Sequence, residues 1–181
     1  MKLSQVAILC LATGAYASAA VEERDVSTVV GILTQVQNGI DSLDASIKVF
    51  TSNSVPTVKA KSVSLVATIK AGISTVKGSS ALTLYDTIAL FNPVNELKAH
   101  AQTLANDLKA KRSALRAANQ CDETRQQIAD IKGASQALIT AIVAKVPADG
   151  KAVAQSQANG ITDVLSQAQA NFSGSQCQNP A

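Results

Sequence analysis

The residues best suited to chemistry in this 181-residue chain are a single histidine and three cysteines. His100 lies between Ala99 and Ala101 in a helical pattern, and a lone histidine is more often a surface or hydrogen-bonded residue than a general base. The chain carries no G-x-S-x-G, H-E-x-x-H, Walker or glycine-rich dinucleotide motif. These observations predict a protein that is not an enzyme and that needs no cofactor.

The N-terminal segment has the pattern of a secretory signal peptide. Lys2 supplies positive charge, residues 6–12 form a short apolar core, and small residues follow up to Ala19. Cleavage after Ala17 or Ala19 predicts a signal peptide over residues 1–19 and a single domain over residues 20–181. Because no later apolar segment is long enough to cross a bilayer, we expect a secreted, extracellular protein without a transmembrane segment.

Because the protein is predicted to be secreted, its cysteines can form disulfides and its one sequon can be glycosylated. Cys10 lies in the signal peptide, which leaves Cys121 and Cys177 as an even pair in a secreted protein. We predict a disulfide between them. Two thiols and one histidine cannot form a standard zinc site, so no metal is expected. The sequon Asn171-Phe172-Ser173 predicts N-glycosylation at Asn171.

The charge balance does not indicate a nucleic-acid partner. A formal net charge of +3 is too weak a bias for that inference. One local basic cluster is formed by Lys109, Lys111, Arg112 and Arg116. It lies where a helix C-terminus favours cations, and no aromatic residues interleave with it for base stacking. We interpret the cluster as a solvated helix face.

Apolar residues recur every three or four positions through most of the chain. The first such seam consists of Val29, Leu33, Val36, Ile40, Leu43, Ile47 and Phe50. This spacing is the helical period, and amphipathic helices bury their stripes against one another. Aromatic residues make up only 3% of the chain and tryptophan is absent, so small aliphatic side chains must fill the interior. Such packing either closes tightly or leaves an apolar hole.

Breaks in the pattern separate about five to six helices. We expect helices over about 25–50, 56–77, 81–91 and 94–115, a fifth marked by apolar residues from Ile128 to Val143, and a last one over about 151–172. Pro56, the glycine at position 78, Asn92-Pro93 and the loop 147–150 mark breaks between them. The predicted fold is all-α, an antiparallel helical bundle with an apolar central cavity.

Two seams carry a serine where the helical period calls for an apolar side chain. These residues are Ser62 in the second helix and Ser135 in the fifth. A buried serine can bond back to its own helix; alternatively, its hydroxyl meets the polar head of an amphiphile whose tail lies in the cavity. Plain core packing is the alternative for each apolar candidate. The candidate lipid-binding residues are Val36, Ile40, Leu43, Ser62, Leu65, Ile69, Leu104, Leu108, Ile131, Ser135, Leu138 and Ile142.

Three segments resemble a known family. They are the opening Arg24-Asp25-Val26-Ser27-Thr28-Val29-Val30, the stretch from Ala137 to Pro147 with its Lys-Val-Pro turn, and Ile161-Thr162-Asp163-Val164-Leu165. Over residues 24–172 the chain resembles the fungal hydrophobic surface binding protein A family, also called cell-wall galactomannoproteins. The resemblance implies a non-catalytic helical bundle that binds long-chain fatty acids, adsorbs to hydrophobic surfaces and recruits secreted hydrolases. Because the chain lacks a Ser/Thr-rich stalk, we expect release or loose association with the cell wall.

Two rival functions remain at this point. The first is a surface-associated interaction protein that adsorbs or recruits secreted hydrolases without an internal ligand site; it would expose a large apolar patch. The second is a bundle similar to plant invertase and pectin methylesterase inhibitors. Those proteins usually carry four cysteines, including an N-terminal pair that residues 20–120 lack.

Overall fold

The computed structural model describes residues 17–180, with side chains from Val26 onward. Residues 1–16 of the predicted signal peptide lie outside this range. The described part contains seven α-helices: α1 (Ala17–Lys48), α2 (Val55–Gly78), α3 (Leu84–Ala89), α4 (Phe91–Ala110), α5 (Arg112–Ala117), α6 (Cys121–Lys145) and α7 (Lys151–Asn171). Five of these helices are long, and the predicted all-α fold is confirmed.

Local sequence explains where the helices begin, with two departures from the sequence-based boundaries. Pro93 lies inside α4 instead of ending a helix, because the first turn of a helix tolerates a residue without a backbone N–H. The break falls instead at Leu90, between α3 and α4. The expected long fourth helix is divided at Lys111, where the backbone leaves helical geometry before α5 begins.

The five long helices form a closed ring in the order α1, α2, α6, α7, α4 and back to α1. Side-chain contacts between neighbouring helices show in which direction each helix runs. Asp41 meets His100 and Lys48 meets Asp107, so α1 and α4 run parallel. The α1–α2 contacts advance in opposite directions, as do the α6–α7 contacts. Lys59 meets Glu123 and Lys145 meets the Lys77 carbonyl, so α2 and α6 run parallel. Long helices that follow one another in the chain therefore alternate in direction, as in the predicted antiparallel bundle.

The predicted disulfide closes one end of the ring. Cys121 and Cys177 are bonded, with Cα atoms 5.5 Å apart, which confirms the prediction. Arg125 fixes the same segment, since its Nε donates to the Phe172 carbonyl at 2.7 Å and its Nη2 to the Cys177 carbonyl at 3.0 Å. A loop closed over 56 positions contributes about 4 kcal/mol in the chain-entropy model. We call this end of the ring the disulfide end.

The opposite end of the ring carries α3, and we call it the α3 end. The Leu82 N–H donates to the Lys145 carbonyl at 2.8 Å, which ties the segment before α3 to the C-terminus of α6. Between the two ends the apolar seams face inward, and every member of the first seam, from Val29 to Phe50, is buried. In the described part of the chain, none of the helices is long and apolar enough to cross a membrane.

Candidate functional site

An apolar cavity of about 100 Å³, which we call the main cavity, lies inside the ring and reaches α3. Every helix of the ring contributes to its wall, and α3 and the first turn of α4 cover it at the α3 end. The wall is built from aliphatic side chains with one aromatic residue, Phe91. The absence of tryptophan and the scarcity of aromatic residues explain the cavity. Side chains of Leu, Ile, Val and Ala are too small to fill the space at the centre of a ring of five helices.

Nine of the twelve candidate lipid-binding residues line this cavity. They are Val36, Ile40, Leu65, Ile69, Leu104, Ile131, Ser135, Leu138 and Ile142. The structure places the other three, Leu43, Ser62 and Leu108, in a second cavity of about 20 Å³ toward the disulfide end. Ile131 lines both cavities and separates them. Helical periodicity identified the inward face of each long helix, but not the level along the axis at which the main cavity ends.

Sequence reasoning missed the wall at the α3 end. Thr87, Leu90, Phe91 and Val94 line the cavity there, and nothing in the periodicity indicates that a six-residue helix folds over the end of the ring. Gln157 was also missed, although a signal existed. It stands four residues before Ile161, at a seam position, and the criterion that selected Ser62 and Ser135 would have selected it as well.

Three polar side chains interrupt the apolar wall of the main cavity. The Thr87 hydroxyl donates to the Thr83 carbonyl at 2.9 Å and is therefore occupied. Ser135 and Gln157 form no side-chain hydrogen bond with any residue that the structure describes. Both side chains are half-buried, and their free hydrogen-bonding groups at the cavity wall are suited to bind the polar head of an amphiphile.

Ser62 is buried and lines the second cavity, together with the buried Thr124 and the half-buried Gln127. Like Ser135, its hydroxyl has no hydrogen-bond partner among the described residues, so it does not bond back to its own helix. The volume of about 20 Å³ suits one group of the size of a water molecule. Ser62 is therefore separated by Ile131 from the space where a long apolar tail would lie.

Two carboxyl groups, the buried Asp44 and the half-buried Asp107, lie where α1 meets α4. Asp44 Oδ2 is 2.6 Å from Lys48 Nζ, which also lies 3.5 Å from Asp107 Oδ2. Asp44 Oδ1 and Asp107 Oδ2 are buried without a hydrogen-bond partner. Burial raises the pKa of the Asp44 carboxyl, the bond to Lys48 opposes this, and the neighbouring Asp107 carboxylate raises it further.

The single histidine connects the same two helices nearer to the middle of the ring. His100 Nδ1 lies 2.5 Å from Asp41 Oδ1, and His100 Nε2 lies 3.0 Å from Gln37 Nε2. Both ring nitrogens therefore contact α1, and the side chain bridges α1 and α4.

Arg112, from the basic cluster, donates to the Asn171 carbonyl at 3.3 Å and to Gln176, so it holds the C-terminal segment against α5.

The model of the family described as hydrophobic surface binding protein A matches residues 26–144. The match covers about two thirds of the chain and spans α1 to α6, four of the five helices of the ring. The chain belongs to the hydrophobic surface binding protein A family. This membership confirms the resemblance seen in the sequence.

Two fungal relatives of this family member are both named cell wall mannoprotein 1. The protein from Aspergillus flavus is 29% identical over 165 residues, which is 91% of this chain and 60% of that protein. The protein from Aspergillus fumigatus is 28% identical over 165 residues, which is 91% of this chain and 58% of that protein. The chain therefore spans about 60% of the length of the relatives that it matches.

Solved structures share the fold of this family member. Ligand-binding domain 1 of the Penicillium marneffei MP1 protein, in complex with arachidonic acids, superposes with a TM-score of 0.78 at 17% identity, covering 83% of this chain and 99% of that one. AFMP4P in complex with palmitic acid superposes with a TM-score of 0.77 at 22% identity, covering 82% of this chain and 99% of that one. At these identities the likeness establishes the five-helix architecture.

Proposed function

We propose that this hydrophobic surface binding protein A family member is a secreted, non-catalytic protein that binds long-chain fatty acids or related lipids. The tail lies in the main cavity and the carboxyl group meets a polar wall residue. The observation that carries the proposal is the composition of the wall, in which every lining residue except Thr87, Ser135 and Gln157 is apolar. Fatty acids in the two solved structures with the same fold support the choice of ligand.

Burial of the tail supplies enough free energy for this binding. Each buried CH₂ contributes about 0.8 kcal/mol, so roughly fourteen methylenes give about 11 kcal/mol before costs. Micromolar binding needs about 8 kcal/mol. The difference of about 3 kcal/mol, together with about 1.5–3 kcal/mol from a hydrogen bond to the carboxylate, offsets the cost of ordering the chain and the cavity wall. A tail of this length is therefore consistent with micromolar affinity.

Binding also requires the ring to widen. The cavity of about 100 Å³ is smaller than the ~300–1,000 Å³ of typical ligand sites. The disulfide ties α6 to the segment after α7 only at the disulfide end. Elsewhere, side-chain contacts such as Lys132 to Gln169 hold α6 and α7 together. We expect the helices to move apart around the tail.

Filling the cavity tests the proposal. Leu104→Trp places a large side chain in the wall, and we expect it to reduce palmitate affinity at least tenfold in isothermal titration. Val63→Trp on the exposed face of α2 is the matched control and should bind palmitate as the unmodified protein does, because Val63 is 59% exposed. Circular dichroism checks that both variants are folded. An unmodified protein that shows no saturable palmitate binding, and releases no lipid on solvent extraction, would contradict the proposal.

Ser135 is the proposed partner of the carboxyl group, because its hydroxyl lies in the wall of the main cavity without another partner. A hydrogen bond to a charged group contributes about 1.5–3 kcal/mol, so Ser135→Ala should weaken palmitate binding about tenfold or more. The same substitution should weaken the binding of methyl palmitate much less. Ser62→Ala is the control, and equal losses in both variants would place the head group elsewhere, with Gln157 the next candidate.

Location and surface activity complete the proposal. The relatives named cell wall mannoprotein and the family name support a secreted protein that associates with the cell wall and adsorbs to hydrophobic surfaces. Recruitment of secreted hydrolases and glycosylation of Asn171 stay predictions. Asn171 is the last residue of α7 and is partly exposed. Treatment of the secreted protein with an N-glycosidase, followed by mass spectrometry, tests the glycan.

A further inference from the structure

Four of the large apolar side chains that the described structure exposes lie together at the α3 end. Leu84, Tyr85 and Ile88 are on α3, and Val153 is on the first turn of α7; they are between 46% and 81% exposed. We call these four residues the end patch. The α3 side chains and the start of α7 meet at Gly150, where a Cβ atom would lie 3.4 Å from the Leu84 Cδ1 atom. Exposed apolar clusters on a soluble domain commonly mark interaction sites.

The end patch lies directly outside the cavity. On α3 the neighbouring residue Thr87 is 3% exposed and lines the cavity, as does Leu90 at the end of the helix. A single helix of six residues thus has one face toward the cavity and the other toward solvent. Helices of 20 residues or more form the sides of the cavity, whereas this short helix covers its end.

Charges beside the end patch suit an anionic surface. The segments 77–90 and 145–153 contain Lys77, Lys145 and Lys151 and two carboxylates, Asp149 and the buried Asp86. The Lys145 ammonium donates to the Lys77 and Ser79 carbonyls, so Lys77 and Lys151 are the lysines available to a surface. The Asp86 carboxylate is already bonded to the Thr83 N–H at 2.9 Å and to the Thr83 hydroxyl at 2.8 Å. Lysines next to exposed apolar and tyrosine side chains are typical of segments that lie at a lipid interface.

We propose that the end patch docks on the surface of an anionic lipid layer and that fatty acids enter and leave the cavity there, past α3. This inference rests on the proposed function for the entry step, because only a lipid-binding cavity needs an entry. The physical reason is that a long-chain fatty acid dissolves poorly in water. Docking brings the cavity within the thickness of one short helix from the lipid, so the tail moves between apolar surroundings.

Two double variants test the docking surface. Tyr85→Ser with Ile88→Ser removes the most exposed side chains of the end patch. Val49→Ser with Val63→Ser removes two equally exposed apolar side chains elsewhere, which are 71% and 59% exposed. Each full-length protein is floated with vesicles of phosphatidylcholine and phosphatidylglycerol in a four-to-one ratio. We expect the end-patch variant to bind at least tenfold more weakly than the unmodified protein and the control variant to be unchanged.

A kinetic measurement tests the entry route. Transfer of a fluorescent fatty acid from the same vesicles to the protein should speed up with vesicle concentration, as collisional transfer does, and should slow at least tenfold in the end-patch variant. Equilibrium affinity for monomeric palmitate should not change, because the substituted side chains lie outside the cavity. Equal transfer by the two double variants would overturn the entry route.

The outcomes separate this proposal from the proposed function. Vesicle binding that needs the end patch, without any palmitate binding, would leave docking in place and remove the carrier role. Palmitate binding with no vesicle binding, or with equal binding by both double variants, would overturn docking. A change from dimer to monomer in the end-patch variant, seen by light scattering, would also overturn it, because the end patch would then contact a second copy of the chain.

Discussion

Among single residues, Asp44 is the group through which we expect pH to act on stability. Its carboxyl is buried between α1 and α4, and burial raises its pKa above the ordinary value of 3.8. The folded protein therefore holds this proton more tightly than the unfolded chain does. The stabilising contribution is complete below the unfolded-state pKa and is lost as pH rises through the folded-state pKa.

Asp44→Asn should remove this dependence. On going from about pH 4 to about pH 7, the free energy of unfolding of the unmodified protein should fall relative to that of Asp44→Asn, since the variant has no proton to lose at this position. Urea unfolding at several pH values measures the difference. Asp163→Asn on the exposed face of α7 is the control. A difference between the unmodified protein and Asp44→Asn that stays constant with pH would contradict the prediction.

At the scale of helices, α1 and α2 approach each other closely at glycines. A Cβ atom at Gly72 would lie 2.6 Å from the Ile32 Cγ2 atom, whereas a Cβ atom at Gly133 on α6 would meet nothing within 4 Å. Both glycines are inside α-helices, so alanine gains about the same helix propensity at either position. Only the packing between helices differs.

We therefore expect opposite effects from the same substitution. Gly72→Ala should destabilise the protein by about 1–3 kcal/mol, because α1 and α2 must move apart in a packed interface. Gly133→Ala should stabilise it by roughly 0.5–1 kcal/mol through helix propensity. Chemical denaturation of the two variants side by side measures both. Equal changes in stability would show that α1 and α2 do not pack as closely as the structure places them.

At the scale of the whole molecule, the cavity links stability to binding. Ala158 on α7 is buried in the cavity wall, and Ala158→Leu would fill part of the space. Cavity filling commonly stabilises a protein by about 0.5–2 kcal/mol. The same side chain competes with the fatty-acid tail, so we expect a higher melting temperature and at least a tenfold loss of palmitate affinity.

Ala152→Leu, at an exposed position of α7, is the control for Ala158→Leu. It should leave both the melting temperature and palmitate affinity nearly unchanged. Differential scanning calorimetry and titration on the same samples measure both quantities. Stabilisation of Ala158→Leu with unchanged affinity would place the ligand outside the main cavity, and the proposed site would then be wrong.

The amino-acid pattern was enough to predict the five long helices, their inward faces and the disulfide pair, because periodicity and cysteine count can be read directly from the chain. Val36, Ile40, Leu65, Ile69 and Leu138 were placed on the cavity wall by spacing alone. The sequence did not show that five helices close into a ring, that Ile131 separates Leu43, Ser62 and Leu108 from the main cavity, or that α3 covers its end. Those features depend on the neighbours and axial offset of each helix, which are set by side-chain packing between distant segments and leave no periodic signal in the chain.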